Sequence, residues 1–337
     1  MIAHWQGVLQ AQFGVSAKLQ RIGGEYDLNF FANAKDAKYV LKVMHKGCES
    51  GLVEMQCAVL GHLAEHLPTA LFPQVIPTRY GNLFCTANDE TGTPRLVWLQ
   101  QRMKGACYAD FTPKSLELIR QIGQQIGQMD MALRGFTHPH LRRAFKWKLS
   151  SGGWIAQHLD AITTPERQAL LQDIIANFNA IRPTLSSLPN MAIHNDVNDY
   201  NILVSASANG PATLTGLIDF GDMTANPRIV ELAIAGAYIV LDHPNPKAAL
   251  TALAAGYHNA YPLTQTEVDL IWPLLQMRLA VSVVNATLEA AARPNDLYVT
   301  ISQRPAWQFL ESTVDSQILQ AGLREACGFG SPIGQHN

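Results

Sequence analysis

The chain has 337 residues, of which 47% are hydrophobic and 15% are charged, and its formal net charge at pH 7 is −2. A chain of this length can bury a substantial core as one large domain or as two lobes. Because the net charge is small and there is no basic run, we expect no nucleic-acid partner and no membrane partner. The five cysteines are scattered and form no C-x-x-C pair. That pattern favours a reducing, cytoplasmic location over a disulfide framework or a metal cluster, and it leaves the oligomeric state open.

The N-terminal third predicts a small sheet with a helix packed against it. Alternating hydrophobic positions indicate strands, and apolar positions spaced three or four residues apart indicate helices. The expected strands cover residues 17–22, 28–32, 39–44, 83–86 and 96–101, and the expected helices cover residues 4–14 and 52–63.

From residue 112 onward the pattern becomes mostly helical. The expected helices cover residues 113–134, 165–181 and 228–323, the last interrupted at 243–246 and 293–295. The first two begin with Thr-Pro, and proline is favoured in the first turn of a helix. The longest apolar stretch, residues 232–241, is far shorter than a membrane span and predicts a buried helix. We therefore predict an N-terminal lobe over residues 1–103 and a C-terminal lobe over residues 104–337.

A polar loop and the strand that follows it carry the most informative motifs. Residues 194–201 have the spacing H-x-D-x-x-x-x-N, and residues 219–222 read Asp-Phe-Gly-Asp. This pair of motifs is typical of the catalytic and metal-binding loops of a protein-kinase-like fold. We therefore predict an α+β, two-lobed fold with a small antiparallel-sheet N-lobe and a mostly helical C-lobe.

Three oxygen-bearing side chains in these motifs match the needs of phosphoryl transfer. Asp196 is the candidate general base, because a carboxylate there could orient a hydroxyl and accept its proton. Asn201 and Asp219 are the candidate ligands of Mg²⁺ bridging the nucleotide phosphates. The alternative is that Asp196 and Asn198 only cap a turn, as Asp and Asn often do. His194 is expected to support the loop by hydrogen bonding, since it has no partner that would orient it as a nucleophile.

The expected co-substrate is ATP or GTP, held mainly by the N-terminal lobe. Lys42 lies in a strand and is the candidate ligand of the α- and β-phosphates. Its carboxylate partner should come from the following helix, with Glu54 the first candidate and Glu49 the second. Gly23 and Gly24 form either a turn covering the phosphates or an ordinary hairpin turn.

The region between the lobes should supply the remaining nucleotide contacts. Gln101 and Met103 belong to the expected hinge, whose backbone groups would recognise the purine edge.

The acceptor is expected to be a small cationic or zwitterionic molecule. Asp199 and Asp222 add negative charge near the catalytic loop, which suits an ammonium group. Arg228 could pair with Glu231 or bind a substrate carboxylate, and Glu231 is expected to belong to the scaffold. Trp147 could form one wall of a small pocket.

Residues 193–203 and 218–222 together resemble the aminoglycoside phosphotransferase and choline kinase superfamily. Further similar stretches, such as residues 26–30, 231–235 and 278–282, resemble its hydroxylysine kinase-like branch most closely. The resemblance covers about residues 15 to 325. It implies a two-lobed kinase fold, a nucleoside triphosphate, magnesium and a small alcohol substrate. It also implies the roles of base for Asp196, metal ligand for Asn201 and Asp219, and phosphate ligand for Lys42.

Two positions depart from the superfamily pattern. Asn195 replaces a glycine that is common between the His and the Asp, which should be tolerated if its backbone is not left-handed. The usual glutamate partner of the strand lysine falls near Gln56, which leaves the partner of Lys42 open.

These observations predict a kinase that phosphorylates a hydroxyl of an amino alcohol or hydroxy amino acid, with a hydroxylysine-like substrate as first choice. The alternatives are a homoserine, choline or aminoglycoside-type kinase, or a pseudokinase that binds a nucleotide without transferring phosphate. A protein kinase is disfavoured, because residues 222–227 lead into a helix and leave little room for an activation loop.

Overall fold

The computed structural model describes residues 1–24, 26–67, 71–206, 210–293, 303–312 and 315–330. The N-terminal lobe is built on a six-stranded antiparallel sheet with strand order β1-β2-β3-β6-β4, and β5 also pairs with β6. Its strands are β1 (Lys18–Ile22), β2 (Leu28–Asn33), β3 (Lys38–Val43), β4 (Val75–Ile76), β5 (Cys85–Asn88) and β6 (Pro94–Gln101). Its helices are α1 (Ile2–Val8), which continues as a π-helical turn over Leu9–Phe13, and α2 (Ser50–His66).

The two faces of this sheet bury different partners because side chains alternate along each strand. One face packs against α1 and its π-helical turn in a separate apolar cluster that includes Leu41 and Val43 of β3. Lys42 alternates with these residues and therefore lies on the opposite face. There it is opposite Trp98 in the strand register, and its Nζ is 5.6 Å from the Trp98 ring centre. Strand alternation thus directs the one lysine of a buried segment toward α2 and the catalytic loops.

The C-terminal lobe is mostly helical and carries two small sheets. Its helices are α3 (Leu116–Ala132), α4 (Pro165–Ser187), α5 (Ile229–Ile239), α6 (Pro246–Ala260), α7 (Gln265–Ala292), α8 (Gln303–Leu310) and α9 (Ser316–Ala326), with 3₁₀ segments at Tyr108–Asp110, Pro139–Arg142, Leu149–Ala161 and Phe220–Asp222. Its strands are β7 (Ala106–Cys107), β8 (Asn190–Ile193), β9 (Ile202–Ala206), β10 (Ala212–Leu217) and β11 (Thr224–Pro227). They pair as β10-β9-β7 and as β11-β8.

Helix α7 is the central helix of this lobe and packs against α4, α5, α8 and α9. It begins with a capping box in which Thr264 and Glu267 exchange hydrogen bonds. By length and composition it is the one described helix that could cross a membrane, yet 72% of its most apolar window is buried inside the fold. The expectation that residues 232–241 form a buried helix is confirmed, because most of that stretch lies in α5, whose residues are all buried.

Most expected elements are present, with shifted ends. The helix expected from residue 113 begins at Leu116, because the Ser115 side chain accepts a hydrogen bond from the Leu118 N–H and caps it there. The helix expected to end at residue 181 runs on to Ser187. Residues 294 and 295 of the second expected helix break lie outside the described residues. The lobe boundary at residue 103 stays a prediction; directly after it, β7 pairs with β9 of the catalytic hairpin.

Candidate active site

Strand pairing holds the catalytic loop at both ends. The loop spans residues 194–201, between β8, which pairs with β11, and β9, which pairs with β10 and β7. The Ile218 N–H donates to the Asn201 carbonyl at 3.0 Å, which brings the end of β10 against the end of the loop. The H-x-D-x-x-x-x-N motif and the Asp-Phe-Gly-Asp motif therefore meet in space.

Glu231 anchors the start of the catalytic loop from the first turn of α5. It is fully buried, and its two carboxylate oxygens accept the Asn195 N–H at 3.0 and 3.2 Å. Burial raises the pKa of Glu231 to about 7, against the opposing effect of the Asn195 and His194 backbone. The prediction that Glu231 belongs to the scaffold is thus confirmed by its contacts.

Asn195 has a left-handed backbone with φ of 67°. The expectation that its replacement of glycine depends on an ordinary backbone is therefore wrong. Asn is among the few non-glycine residues that adopt this conformation readily, which explains why it is accommodated. Its side-chain amide also donates to the Trp147 carbonyl at 3.4 Å.

His194 joins the two motifs as a neutral side chain. Its Nε2 donates to the Ile218 carbonyl at 3.0 Å, and its Nδ1 accepts the Asp196 N–H at 3.3 Å, a tautomer that we assign from these partners. Burial lowers the pKa of His194 to about 4. The expected supporting role is thus matched by its hydrogen bonds.

The Asp196 carboxylate is held by three donors. Its Oδ1 accepts from Nη2 of Arg278 at 2.8 Å, and its Oδ2 accepts from the side-chain amides of Asn201 at 2.9 Å and Asn198 at 3.0 Å. Burial raises the pKa of Asp196 to about 6, with Asp219 acting in the same direction and Arg278 opposing. The group is therefore mostly ionised at neutral pH and has a pKa suited to a general base. Asn198, and not Asp196, caps the turn, because the Asn198 Oδ1 accepts hydrogen bonds from the N–H groups of residues 200 and 201.

The two predicted metal ligands both lie near this carboxylate. The Asn201 amide nitrogen donates to the Asp196 carbonyl and Oδ2, so its amide oxygen remains as the atom suited to a cation. Asp219 follows β10 with a left-handed backbone, φ 67°, and 52% of its side chain is exposed. Its Oδ1 accepts from Lys42 Nζ at 2.8 Å, and this cation lowers the pKa of Asp219. Oxygen donors of this kind fit a hard divalent cation such as Mg²⁺.

Both predicted carboxylate partners of Lys42 are wrong. Glu54 is exposed, and Glu49 is exposed and paired with the His140 imidazole at 3.1 Å. Residues two positions apart on a helix point in nearly opposite directions. Gln56, rather than Glu54, is therefore the buried residue of α2 near the Asp-Phe-Gly turn. Its Oε1 has no hydrogen-bond partner in the described part of the chain.

Asp222 adds a third carboxylate close to Asp196 and Asp219. Burial, followed by the charges of these two neighbours, raises the pKa of Asp222 to about 8. Arg143, which the sequence analysis missed, fixes the turn carrying Asp222 by donating to the carbonyls of Gly221 at 2.8 Å and Met223 at 2.6 Å.

Arg228 does not take either of its predicted roles. Its guanidinium binds both carboxylate oxygens of Glu267 at 2.7 and 2.8 Å and donates to the Pro262 carbonyl. It also lies 3.9 Å from the Tyr261 ring centre. These contacts tie the start of α5 to the start of α7, so the pair with Glu231 and the substrate role are both wrong.

The cation beside the base is Arg278, which the sequence analysis quoted only within a similar stretch. It lies between Met277 and Leu279 in α7 and is only 3% exposed. A charged residue within a buried apolar segment is rare, so the sequence around Arg278 already indicated a functional or paired arginine. Trp147 is brought to the same place, with its ring centre 4.8 Å from the Arg278 guanidinium carbon.

The remaining predicted nucleotide contacts lie at the β1–β2 turn and at the end of β6. Gly23 and Gly24 lie in the turn between β1 and β2, and a side chain on Gly24 would collide with the Asn29 amide and the Asp27 carbonyl. Gln101 ends β6, and the Met103 side chain packs against Gly216 of β10. The nucleotide roles of these four residues stay predictions.

A model of the phosphotransferase enzyme family, APH, matches residues 18–266 of this chain. A hydroxylysine kinase from Mus musculus is 28% identical over an alignment of 338 positions, and the alignment covers 93% of this chain and 89% of that protein. A hydroxylysine kinase from Danio rerio is 26% identical over 317 residues, covering 90% and 88%.

Solved kinase structures share the fold. An amicoumacin kinase in complex with AMP-PNP, Ca²⁺ and Ami superimposes with a TM-score of 0.69 at 13% identity, covering 92% of this chain and 93% of that one. A microcompartment-associated aminopropanol kinase gives a TM-score of 0.61 at 17% identity, covering 97% and 95%. The expected protein-kinase-like, two-lobed α+β fold is confirmed.

The chain belongs to the APH phosphotransferase enzyme family. It is therefore a phosphotransferase, and the similarity to hydroxylysine kinases expected from its motifs is confirmed.

Proposed function

We propose that this phosphotransferase moves the γ-phosphate of ATP or GTP to the hydroxyl of a small hydroxy amino acid, with 5-hydroxylysine as the first substrate to test. The observation that carries the proposal is the Asp196 carboxylate, held by Asn201 and Arg278 beside Asp219. The relatives named hydroxylysine kinase, which match over nearly their whole length, support the choice of substrate.

In the proposed reaction, Asp196 accepts a hydrogen bond from the substrate hydroxyl and orients its oxygen. As that oxygen bonds to the γ-phosphorus, the bond from this phosphorus to the β,γ-bridging oxygen breaks, and the nucleoside diphosphate leaves with the electron pair. The hydroxyl proton passes to Asp196. A pKa of about 6 leaves this carboxylate ionised before transfer and able to hold the proton late in transfer.

Asn201 and Asp219 are the residues that would hold Mg²⁺, because both present oxygen atoms next to the base. Magnesium supplies neutralising charge at the β- and γ-phosphates when bound. Lys42 now pairs with Asp219 Oδ1. In the proposed complex the Lys42 ammonium would bind the α- and β-phosphates, which would leave the Asp219 carboxylate available as a ligand for Mg²⁺.

A second candidate function is nucleotide binding without phosphate transfer. The observation in its favour is that Gln56 occupies the position on α2 near the Asp-Phe-Gly turn, so no carboxylate of α2 pairs with Lys42 within the described residues. Retention of Asp196, Asn201 and Asp219 in one loop region argues for transfer.

The test is a product assay with Mg²⁺, ATP or GTP, and a panel of acceptors: 5-hydroxylysine, homoserine, choline and an aminoglycoside. Phosphorylated product is identified by mass spectrometry and phosphorus NMR, with Asp196→Asn as the matched control. We expect an O-phosphorylated hydroxy amino acid that depends on Asp196. Product from choline or the aminoglycoside alone would replace the proposed substrate class. Nucleotide binding with no product from any acceptor would support the second candidate.

A further inference from the structure

The Arg278 guanidinium lies beside the base and has an unused donor. Its Nη2 donates to Asp196 Oδ1 at 2.8 Å, and its Nε donates to the Tyr238 hydroxyl at 3.2 Å. Its other terminal nitrogen, Nη1, is buried and has no hydrogen-bond partner among the described residues. Buried donors in native proteins are almost always paired, and a guanidinium donor prefers a charged acceptor. An orphaned donor at this position therefore indicates a ligand.

Aromatic side chains hold this guanidinium in place. The ring centres of Trp147 and Tyr238 lie 4.8 and 5.4 Å from its central carbon, within the range of a cation–π contact. A planar guanidinium that is fixed by two hydrogen bonds and two rings offers its remaining N–H groups in a set direction. Such a group is suited to recognising a carboxylate, because little conformational freedom is lost on binding.

A carboxyl group and a guanidinium with a spare donor lie close to the base. The Asp222 carboxyl accepts no hydrogen bond from the described part of the chain, and burial, followed by the nearby Asp196 and Asp219, raises its pKa to about 8. Arg278 contacts Asp196 directly and is the positive group beside the base. Arg143 is committed to the carbonyls of Gly221 and Met223, and Lys42 pairs with Asp219 and is assigned to the nucleotide. Among the described residues, Arg278 is therefore the cation left for the acceptor.

We infer that Arg278 Nη1 binds the carboxylate of the acceptor and makes the enzyme select a hydroxy amino acid over the corresponding amino alcohol. This inference rests on the proposed function and narrows it. The acceptor hydroxyl then lies at Asp196, and the acceptor carboxylate lies at Arg278. Two roles compete: Arg278 as a positioning residue for Asp196 alone, and Arg278 as a ligand of the transferred phosphoryl group.

The test compares acceptors that differ only in the carboxylate. We would measure kcat and KM for 5-hydroxylysine and for 1,5-diaminopentan-2-ol, which keeps the hydroxyl and both amino groups. The variants are Arg278→Gln and Arg278→Lys. The matched control is Arg228→Gln, because Arg228 also has a buried unpaired Nη1 but binds Glu267 instead of the base.

In the wild type we expect kcat/KM for the amino acid to exceed that for the amino alcohol at least about tenfold, the value of one charged hydrogen bond. Arg278→Gln also removes the contact with Asp196, so kcat/KM should fall for both acceptors. It should fall about tenfold more for the amino acid, which would erase the preference. Arg228→Gln should keep it. A loss of the same factor for both acceptors in Arg278→Gln would overturn the inference, since both competing roles predict that result.

Failure of the inference is distinguishable from failure of the proposed function. If homoserine proves to be the acceptor, the same comparison is made with homoserine and 3-aminopropan-1-ol. A wild type that phosphorylates the amino alcohols as well as the amino acids overturns the inference, while the enzyme stays a kinase. A second measurement uses only the wild type, so its result does not depend on whether a variant folds. L-lysine, but not cadaverine, should raise the Tm of the wild type. Equal shifts from the two would again overturn the carboxylate role.

Discussion

Replacing Glu231 by alanine tests whether the catalytic loop owes its shape to this buried carboxylate. The change removes the acceptor of the Asn195 N–H, which both carboxylate oxygens now share at 3.0 and 3.2 Å. Leaving a buried backbone donor unpaired costs about 1–3 kcal/mol. The left-handed Asn195 backbone also loses the contact that holds it, so it is free to relax. We therefore expect the free energy of unfolding to fall by about 1–3 kcal/mol.

Activity should fall further than stability alone explains. A displacement of about 1 Å at a catalytic group lowers the rate about 10²-fold, and Asp196 directly follows the released residue. The assay combines denaturant unfolding with kcat at a temperature where the variant remains folded. Glu231→Gln is the matched control. It keeps one acceptor oxygen and resembles the neutral carboxyl that a pKa of about 7 already populates at pH 7. Full activity in Glu231→Ala, or equal losses in both variants, would refute this reasoning.

Three further predictions concern neighbouring residues. Lys42→Met should lower kcat/KM for the nucleotide at least about tenfold. It should change the free energy of unfolding by at most about 1 kcal/mol, because Asp219, the ion-pair partner of Lys42, is half-exposed. A large loss of stability would contradict this. Asn195→Gly should keep activity and stability within about 1 kcal/mol, because glycine adopts φ near 67° at no steric cost. Asn195→Val should lose both, because a β-branched residue is strained at that φ; active Asn195→Val would count against the loop geometry. The pKa of His194, lowered from 6.5 to about 4, means that protonation favours the unfolded chain. Unfolding free energy should therefore fall by up to about 1.4 kcal/mol per pH unit from pH 6.5 down to 4, and less steeply in His194→Gln; parallel pH profiles would contradict it.

The part of the site that lies within one short loop could be predicted from sequence. Asp196 and Asn201 are five residues apart and bond directly to each other, so their spacing alone predicts their meeting. The positions of His194 and Asp219 beside this loop could be predicted too, because the strands β8, β9 and β10 directly adjoin the loop.

Contacts that depend on the packing of distant helices could not be predicted. Arg278 is 82 residues from Asp196, and only the packing of α7 against α5 brings them together. The rotation of α2 about its axis decides that Gln56 and not Glu54 is buried, and the superfamily pattern had already placed the usual glutamate position near Gln56. Strands of two to four residues, such as β7 and β11, are too short for an alternation pattern.

The most direct test of the account is the turnover of Asp196→Asn with 5-hydroxylysine, measured together with its affinity for the nucleotide. The asparagine keeps the shape of the side chain but cannot accept the hydroxyl proton at neutral pH. We predict that kcat falls by about 10²–10⁴-fold while the Kd for the nucleotide stays nearly the same. Turnover within tenfold of the wild type would contradict the assignment of Asp196 as the base.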